Sequence, residues 1–284
     1  MLSQLKMFNG RTLLVATMHE KEKVIAPIFE KELGLKCITP FNFNSDALGT
    51  FTGEIERKDD ALNIARKKCF IAMELNNCDM AISSEGSFGP HPVMYIHPAD
   101  DEILLFIDKK NDLEIVVREL SAQTNYNARE IKSEKELKEF ADAAKFPSHG
   151  LIIRKDKENY NNIKKGIRDW ETLLKNYKHI SKKDGIAFVE TDMRAMHNPT
   201  RMRVIENTTI KLVHKIKSKC PSCHTPGFGI TATKKGLPCG LCRFPTSSVL
   251  AYIYTCLKCN YQNVKNNPNS KQCEDPMFCD RCNP

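Results

Sequence analysis

The chain has 284 residues, 41% hydrophobic and 27% charged, with a formal net charge of +8. That length supports one large core and a small second module, and no stretch approaches the apolar length that spans a bilayer. The longest early apolar run, 13–16, is far too short for a signal-peptide core, which points to a cytoplasmic protein with reduced thiols.

Residues 12–16 (Thr-Leu-Leu-Val-Ala) read as a buried strand. Val24, Ile25, Ile28, Phe29 and Leu33 at helical spacing predict a helix that Gly34 stops. A short strand over 36–39 and a polar loop over 42–60 follow. The next helix, 60–76, carries Leu62, Ala65, Cys69, Ala72 and Met73 on one face. A strand over 80–83 runs into a Gly/Ser/Pro loop over 84–92, and strands over 102–108 and 113–119 come next. In the second half Ser133, with Glu136 three residues on, caps a helix to 144. Then come a strand over 150–154, a lysine-rich amphipathic helix over 161–177, a strand over 186–190, and a helix or extended arm leading to Lys219. Strands alternating with helices indicate an α/β domain over 1–216, with a mixed or mostly parallel central sheet flanked by helices.

Residues 217–284 are different in kind. Four Cys-x-x-Cys pairs, Cys220/Cys223, Cys239/Cys242, Cys256/Cys259 and Cys279/Cys282, give eight thiolates within 63 residues. A two-residue gap lets two sulfurs from one tight knuckle reach the same ion, so the module predicts a zinc ribbon with two structural Zn2+. Four pairs allow three pairings. Sequential pairing leaves gaps of 15 and 19 residues, and nesting the middle two pairs spans 13. Cys273 is a ninth thiol, and 263–271 reads as a polar loop. Eight metal-bound thiolates and two dications bring +8 down to +4, a modest excess that suits a phosphate-bearing ligand without requiring nucleic acid.

Ligands of open α/β sheets collect at the carboxyl ends of strands, and three polar clusters fall there. The first, 17–23, offers Thr17, His19 and Lys23 beside a helix N-terminus suited to phosphate. The second, 84–92, holds Ser84, Glu85, Ser87, Phe88 and His91 among two glycines, with Glu85 placed to hold a metal or activate water. The third, 190–203, combines Asp192 with Arg194 and Arg201, groups suited to acid/base work and phosphate charge. Glu54 or Glu56 supplies a second carboxylate for Mg2+ beside Glu85.

Two resemblances add to this reading. The runs at 10–23, 84–92, 190–202 and 279–284 resemble a bacterial family known only as a domain of unknown function, over nearly the whole chain. Residues 11–95 are distantly similar to the inosine-triphosphate pyrophosphatase superfamily. In that superfamily a strand ends in Ala/Gly-Thr-x-Asn-x-x-Lys, a Glu precedes an Ala-x-x-Lys-like helix, and an acidic Gly/Ser loop follows a strand. Here Ala16-Thr17-Met18-His19-Glu20-Lys21-Glu22-Lys23 has His19 in place of the Asn, Glu54 or Glu56 precedes Ala65-Arg66-Lys67-Lys68, and Ser84-Glu85-Gly86-Ser87 follows. The expected function is a Mg2+-dependent hydrolase of a nucleoside triphosphate or related nucleotide. Lys23 and Thr17 would bind phosphates, and Glu85, with Glu54 and Asp192, would do the chemistry. The alternative is a zinc-ribbon nucleic-acid-binding or RNA-associated protein without catalysis, in which the ribbons and the basic segment 201–219 contact the backbone.

Overall fold

The computed structural model describes residues 7–41, 43, 59–158, 160 and 162–284. It divides into two units, Met1–Val213 and His214–Pro284. In the first unit β1 (Thr12–Val15) is apolar and buried from Leu13 onward, as a strand covered on both faces must be. Helix α1 (Glu22–Leu33) follows. It ends at Gly34, whose φ of 68° forms a left-handed cap that a side chain would strain. Then come β2 (Lys36–Ile38) and α2 (Ala61–Leu75). The Asp60 carboxylate caps α2, accepting from the amides of Leu62 and Asn63 at 3.0 Å each. Strands β3 (Met80–Pro90), β4 (Pro98–Asp108) and β5 (Leu113–Ser121) complete a five-stranded sheet ordered β2-β1-β3-β4-β5. β1 is parallel to β2 and β3, whereas β4 is antiparallel to both β3 and β5. On one face Phe29 of α1 stacks on Phe106 at 6.0 Å. On the other, Ala65, Cys69, Ala72 and Met73 of α2 pack against Leu14, Ala81, Leu105 and Ile107.

A second sheet follows in the same unit. Its elements are β6 (Ala128–Ile131), α3 (Glu134–Ala143), β7 (Leu151–Arg154), β8 (Lys164–Ile167), α4 (Trp170–Ser181) and β9 (Ala187–Thr191). Its order is β6-β9-β7-β8, antiparallel throughout. Ser133 does cap α3, accepting from the Glu136 amide at 3.2 Å. The packed core includes Ile131, Leu137, Phe140, Leu151, Leu173 and Val189. Helix α5 (Pro199–Lys217) then carries the chain across the boundary between units.

The structure corrects three expectations in this unit. The single central sheet is two sheets, one mixed and one antiparallel. The loop expected over 84–92 is strand as far as Pro90, because β3 pairs with β4 continuously from Met80↔Asp108 to Pro90↔Pro98. Its small residues reflect a close approach: a Cβ on Gly86 would lie 2.4 Å from Glu102 Oε1 and 2.5 Å from Arg201 Nη2. The helix expected over 161–177 is a strand and a later helix. The Asp169 carboxylate accepts from the Thr172 amide at 2.7 Å and starts α4 there, while Gly166 takes a positive φ of 69° in β8.

The second unit is built on a three-stranded antiparallel sheet, β10 (Ile230–Lys235), β11 (Val249–Thr255) and β12 (Gln262–Asn266), with β11 in the centre. β12 takes up the first part of the stretch expected to be a loop. No helix among the described residues is long and apolar enough to cross a membrane.

Candidate functional site

The eight paired cysteines form two groups: Cys220, Cys223, Cys256 and Cys259, and Cys239, Cys242, Cys279 and Cys282. Within each group all four sulfurs lie within 4.8 Å of one another. The Cys220–Cys259, Cys223–Cys256 and Cys242–Cys279 separations are 3.6 Å, and Cys239–Cys282 is 3.8 Å. A disulfide needs about 2.05 Å, so these are thiols. A tetrahedron with metal–sulfur bonds of about 2.3 Å has edges of about 3.8 Å, which these separations match. The first pair joins the third and the second joins the fourth. This interleaved pairing is neither the sequential nor the nested arrangement, and it follows from the hairpins: β10 and β11 separate the first knuckle from the third in sequence and return them together in space. The Thr225 hydroxyl is the main cause that draws the Cys223 thiol down to about 6, and backbone N–H donors draw Cys239 down to about 7. Both effects favour the thiolate at these two positions, while the surrounding sulfurs and burial push their partners Cys259 and Cys282 up, to about 11 and about 12. Cys273 stands outside both groups.

In the first unit a set of buried ionisable groups gathers where β3 outruns β1. The last β1-side contact is the Ala16 amide on the Ile82 carbonyl, at 2.7 Å. Two residues on, where a longer β1 would have donated to the Ser84 carbonyl, the Lys21 ammonium does so instead at 3.0 Å, and it also reaches the Ser84 hydroxyl at 3.2 Å. That hydroxyl donates to Glu102 Oε2 at 3.2 Å. Glu102 Oε1 in turn accepts from Arg201 Nε at 2.5 Å, and Arg201 also donates to the Met193 carbonyl. Side chains alternate along a strand, so Ser84, Gly86 and Phe88 face the α1 side with Glu102 and Asp100, whereas Glu85 turns to the α2 side and is ion-paired with Lys68. Both carboxylate oxygens of Asp100 are buried without a hydrogen-bond partner among the described residues.

Burial dominates the electrostatics. It pushes Lys21 down to about 7, with Arg201 adding to the shift and Glu102 and Glu85 opposing it. It pushes Asp100 up to about 8, with the neighbouring Glu102 carboxylate adding to the shift. An amine and a carboxyl group are therefore both poised near neutral pH in one enclosed place.

The expected site residues divide accordingly. Ser84, Glu85 and Arg201 belong to this cluster. Phe88 borders it, with Arg201 over its ring at 5.1 Å and Tyr126 stacked on it at 5.7 Å. Ser87 is exposed and lines, with Phe88, Asp101 and Arg118, an open cavity of about 590 Å3. The Thr17 hydroxyl is buried without a partner among the described residues. Lys23 is a correction: it is exposed and pairs with Glu20 at 2.6 Å, and Lys21 is the lysine that enters. His19 and Glu20 both take positive φ, 67° and 62°, and this turn aims position 21 inward and 23 outward. Lys23 is the main cause that lowers the Glu20 carboxyl. Asp192 is another correction, because its carboxylate is fully engaged. It accepts from the Gly166 amide at 3.0 Å and from Arg194 at 3.0 and 2.6 Å, so the pair organises the β9 end instead of presenting a free acid. His91 accepts from the amides of Val93 and Met94 at 3.1 Å and closes the β3–β4 turn. Glu54 and Glu56 lie outside the described residues. Lys21, Lys68, Asp100 and Glu102 are the members that the sequence reading left out.

Among the described residues the two cysteine groups are the ones whose ligand atoms converge on a metal position. The described carboxylates of the first unit do not: Glu85 is held by Lys68, and Glu102 is held by Arg201 and Ser84. No curated protein and no solved structure matches the chain. Residues 68–284, which include β3, β4, α5 and all eight paired cysteines, match a family model described as a domain of unknown function (DUF6671).

Proposed function

The chain belongs to the DUF6671 family, whose description names no activity, and from its own chemistry we propose that it hydrolyses a phosphorylated nucleotide at the buried cluster. One observation carries the reading. Three cations, Lys21, Lys68 and Arg201, and three carboxylates, Glu85, Asp100 and Glu102, from α2, α5, β3, β4 and the β1–α1 turn gather where β3 outruns β1, with Glu85 and Lys68 on the α2 side of the strand and the others on the α1 side, all of them buried. Desolvating an ion costs several kcal/mol, and apolar residues of equal volume often stabilise a fold as well or better, so an array of this kind serves chemistry more than packing.

In this reading Lys21 and the first amides of α1 receive phosphate. Glu85, oriented by Lys68, positions the attacking water. Arg201, fixed by Glu102 and the Met193 carbonyl, holds the Phe88 side of the site. Among the described residues no carboxylates cage Mg2+, which would arrive on the substrate's phosphates, as it does where one or two carboxylates complete its shell. The order of Thr17, Lys68 and Glu85 along the chain, similar to that of the inosine-triphosphate pyrophosphatase superfamily, supports a nucleotide over other phosphates. The cysteine groups hold two structural Zn2+ in this reading, and a reducing cytoplasm keeps their thiols available.

The test is release of phosphate and pyrophosphate from standard and deaminated nucleoside triphosphates, with and without Mg2+. Glu85→Gln is expected to lower turnover about 100-fold, on the order of 3 kcal/mol of transition-state stabilisation. Lys21→Ala is expected to raise KM more than it lowers kcat. Absence of turnover on every nucleotide, or wild-type turnover by Glu85→Gln in a folded protein, removes the proposal.

A further inference from the structure

The second unit holds nearly all of the chain's net charge. Its residues, 214–284, include ten Lys or Arg and three Asp or Glu, which is +7 of the total +8. The three carboxylates, Glu274, Asp275 and Asp280, all lie in the last eleven residues, and 214–273 contains nine cations and no Asp or Glu. With eight thiolates on two dications the unit still carries +3, against +1 for the first 213 residues. A solvated surface normally intersperses both signs, so sixty residues without a carboxylate call for an anionic partner.

The three-stranded sheet presents this charge. Every residue of β10 and of β12 is exposed. Thr233, Tyr252 and Lys265 are in register across the three strands and share one face, so a half-buried tyrosine ring of the central strand has a cation beside it. Lys234 and Lys235 close β10 at a register shift, Lys235 on the Thr233 side of the strand and Lys234, paired with Ala251, on the other; Lys258 stands in the third cysteine knuckle, and Ile230 in β10 and Val264 in β12 are exposed.

We propose that the β10–β12 sheet binds single-stranded nucleic acid, with phosphates on Lys234, Lys235 and Lys265 and a base against Tyr252. An aromatic ring among cations on an open sheet suits unpaired bases, whose faces are free to stack, whereas a duplex buries those faces. An acidic peptide or an anionic lipid surface would use the lysines and leave Tyr252 without a role. The inference concerns a different unit from the nucleotide site and does not depend on hydrolysis.

Fluorescence anisotropy of the full-length, zinc-loaded protein with a labelled single strand of about 20 nucleotides, from about 50 to about 200 mM salt, tests it. Wild type is expected to bind with log K falling linearly in log salt. Single strands lose about 0.7 of slope per phosphate contact, so the Lys234→Gln/Lys235→Gln/Lys265→Gln variant is expected to lose about 2 units of slope and at least about tenfold in affinity. Tyr252→Ser is expected to lose about tenfold with the slope unchanged, the signature of stacking. Unchanged zinc content and circular dichroism establish that the variants are folded, and Lys265→Arg is expected to retain binding. No binding by wild type, a triple variant with the wild-type slope, or equal affinity for duplex, polyglutamate or phosphatidylserine vesicles would overturn the proposal.

Discussion

Asp100 has two buried carboxylate oxygens and no donor for either among the described residues, and its pKa is pushed up to about 8. Between the ordinary carboxylate range and pH 8 the folded protein therefore holds a proton that the unfolded chain has released. The native state binds more protons over that window, so this residue makes stability fall as pH rises through it. Lys21, pushed down to about 7, acts in the opposite sense at higher pH: above 7 the unfolded chain keeps a proton the native state has lost, so stability rises with pH up to the ordinary lysine range. Asp100→Asn is expected to remove the downward limb between about pH 4 and 8 and leave the upward limb above it. Urea melts of both proteins across pH measure this, and an unchanged acid limb would show that Asp100 is ionised in the native state. These residues differ in how far the sequence betrayed them. Lys68 was missed although a signal for it existed, because it lies on the buried stripe of α2 with Ile64, Ala65, Cys69 and Ala72, where a charge demands a partner. Lys21 was not legible, because two consecutive left-handed residues before it shift the inward position by two relative to the motif that favoured Lys23.

At the scale of elements, β3 is the least regular in composition and the most consequential. Gly86 lets the strand pass beneath the Glu102–Arg201 pair. Gly86→Ala is expected to force that pair apart and to destabilise the protein by about 1–3 kcal/mol, as overpacking in a tight core does. Gly89→Ala, with nothing within 4 Å of its Cβ, is the control and is expected to cost less. Comparing the two by denaturant midpoint separates crowding at position 86 from the general effect of removing a strand glycine. Helices α1 and α2 and strand β1 were legible from periodicity and caps, since their signals are local. The length of β3 was not. Ser, Gly and Pro are poor strand formers by themselves, and what makes them a strand is pairing to β4 across a hairpin and contact with Arg201, 115 positions beyond Gly86. The eight cysteines announced a metal module, but equal two-residue gaps hold no record of which knuckles meet; the hairpins of β10–β12 decide it.

For the molecule as a whole, the interleaved pairing ties the second unit into one cooperative body. The first cysteine group closes residues 220–259 and the second closes 239–282, so the segment 239–259 lies inside both loops. Cys256→Ala is therefore expected to remove metal from both cysteine groups and not from one alone, because a structural metal such as zinc supplies about 10–16 kcal/mol of folding free energy and both groups draw on the same segment. Metal analysis after gel filtration, beside circular dichroism, checks this; one tightly retained ion would mean that the sites fold independently. Lys21 has a comparable reach in the first unit. Among the described residues β1 ends beside Ile82 of β3, and a strand edge left without a partner is a template on which another polypeptide can add. An inward-pointing lysine bonded to the Ser84 carbonyl occupies that template with a group no incoming strand can displace without burying a charge. The same ammonium that equips the candidate site thus takes up, with a buried charge, a backbone acceptor that an added strand would need.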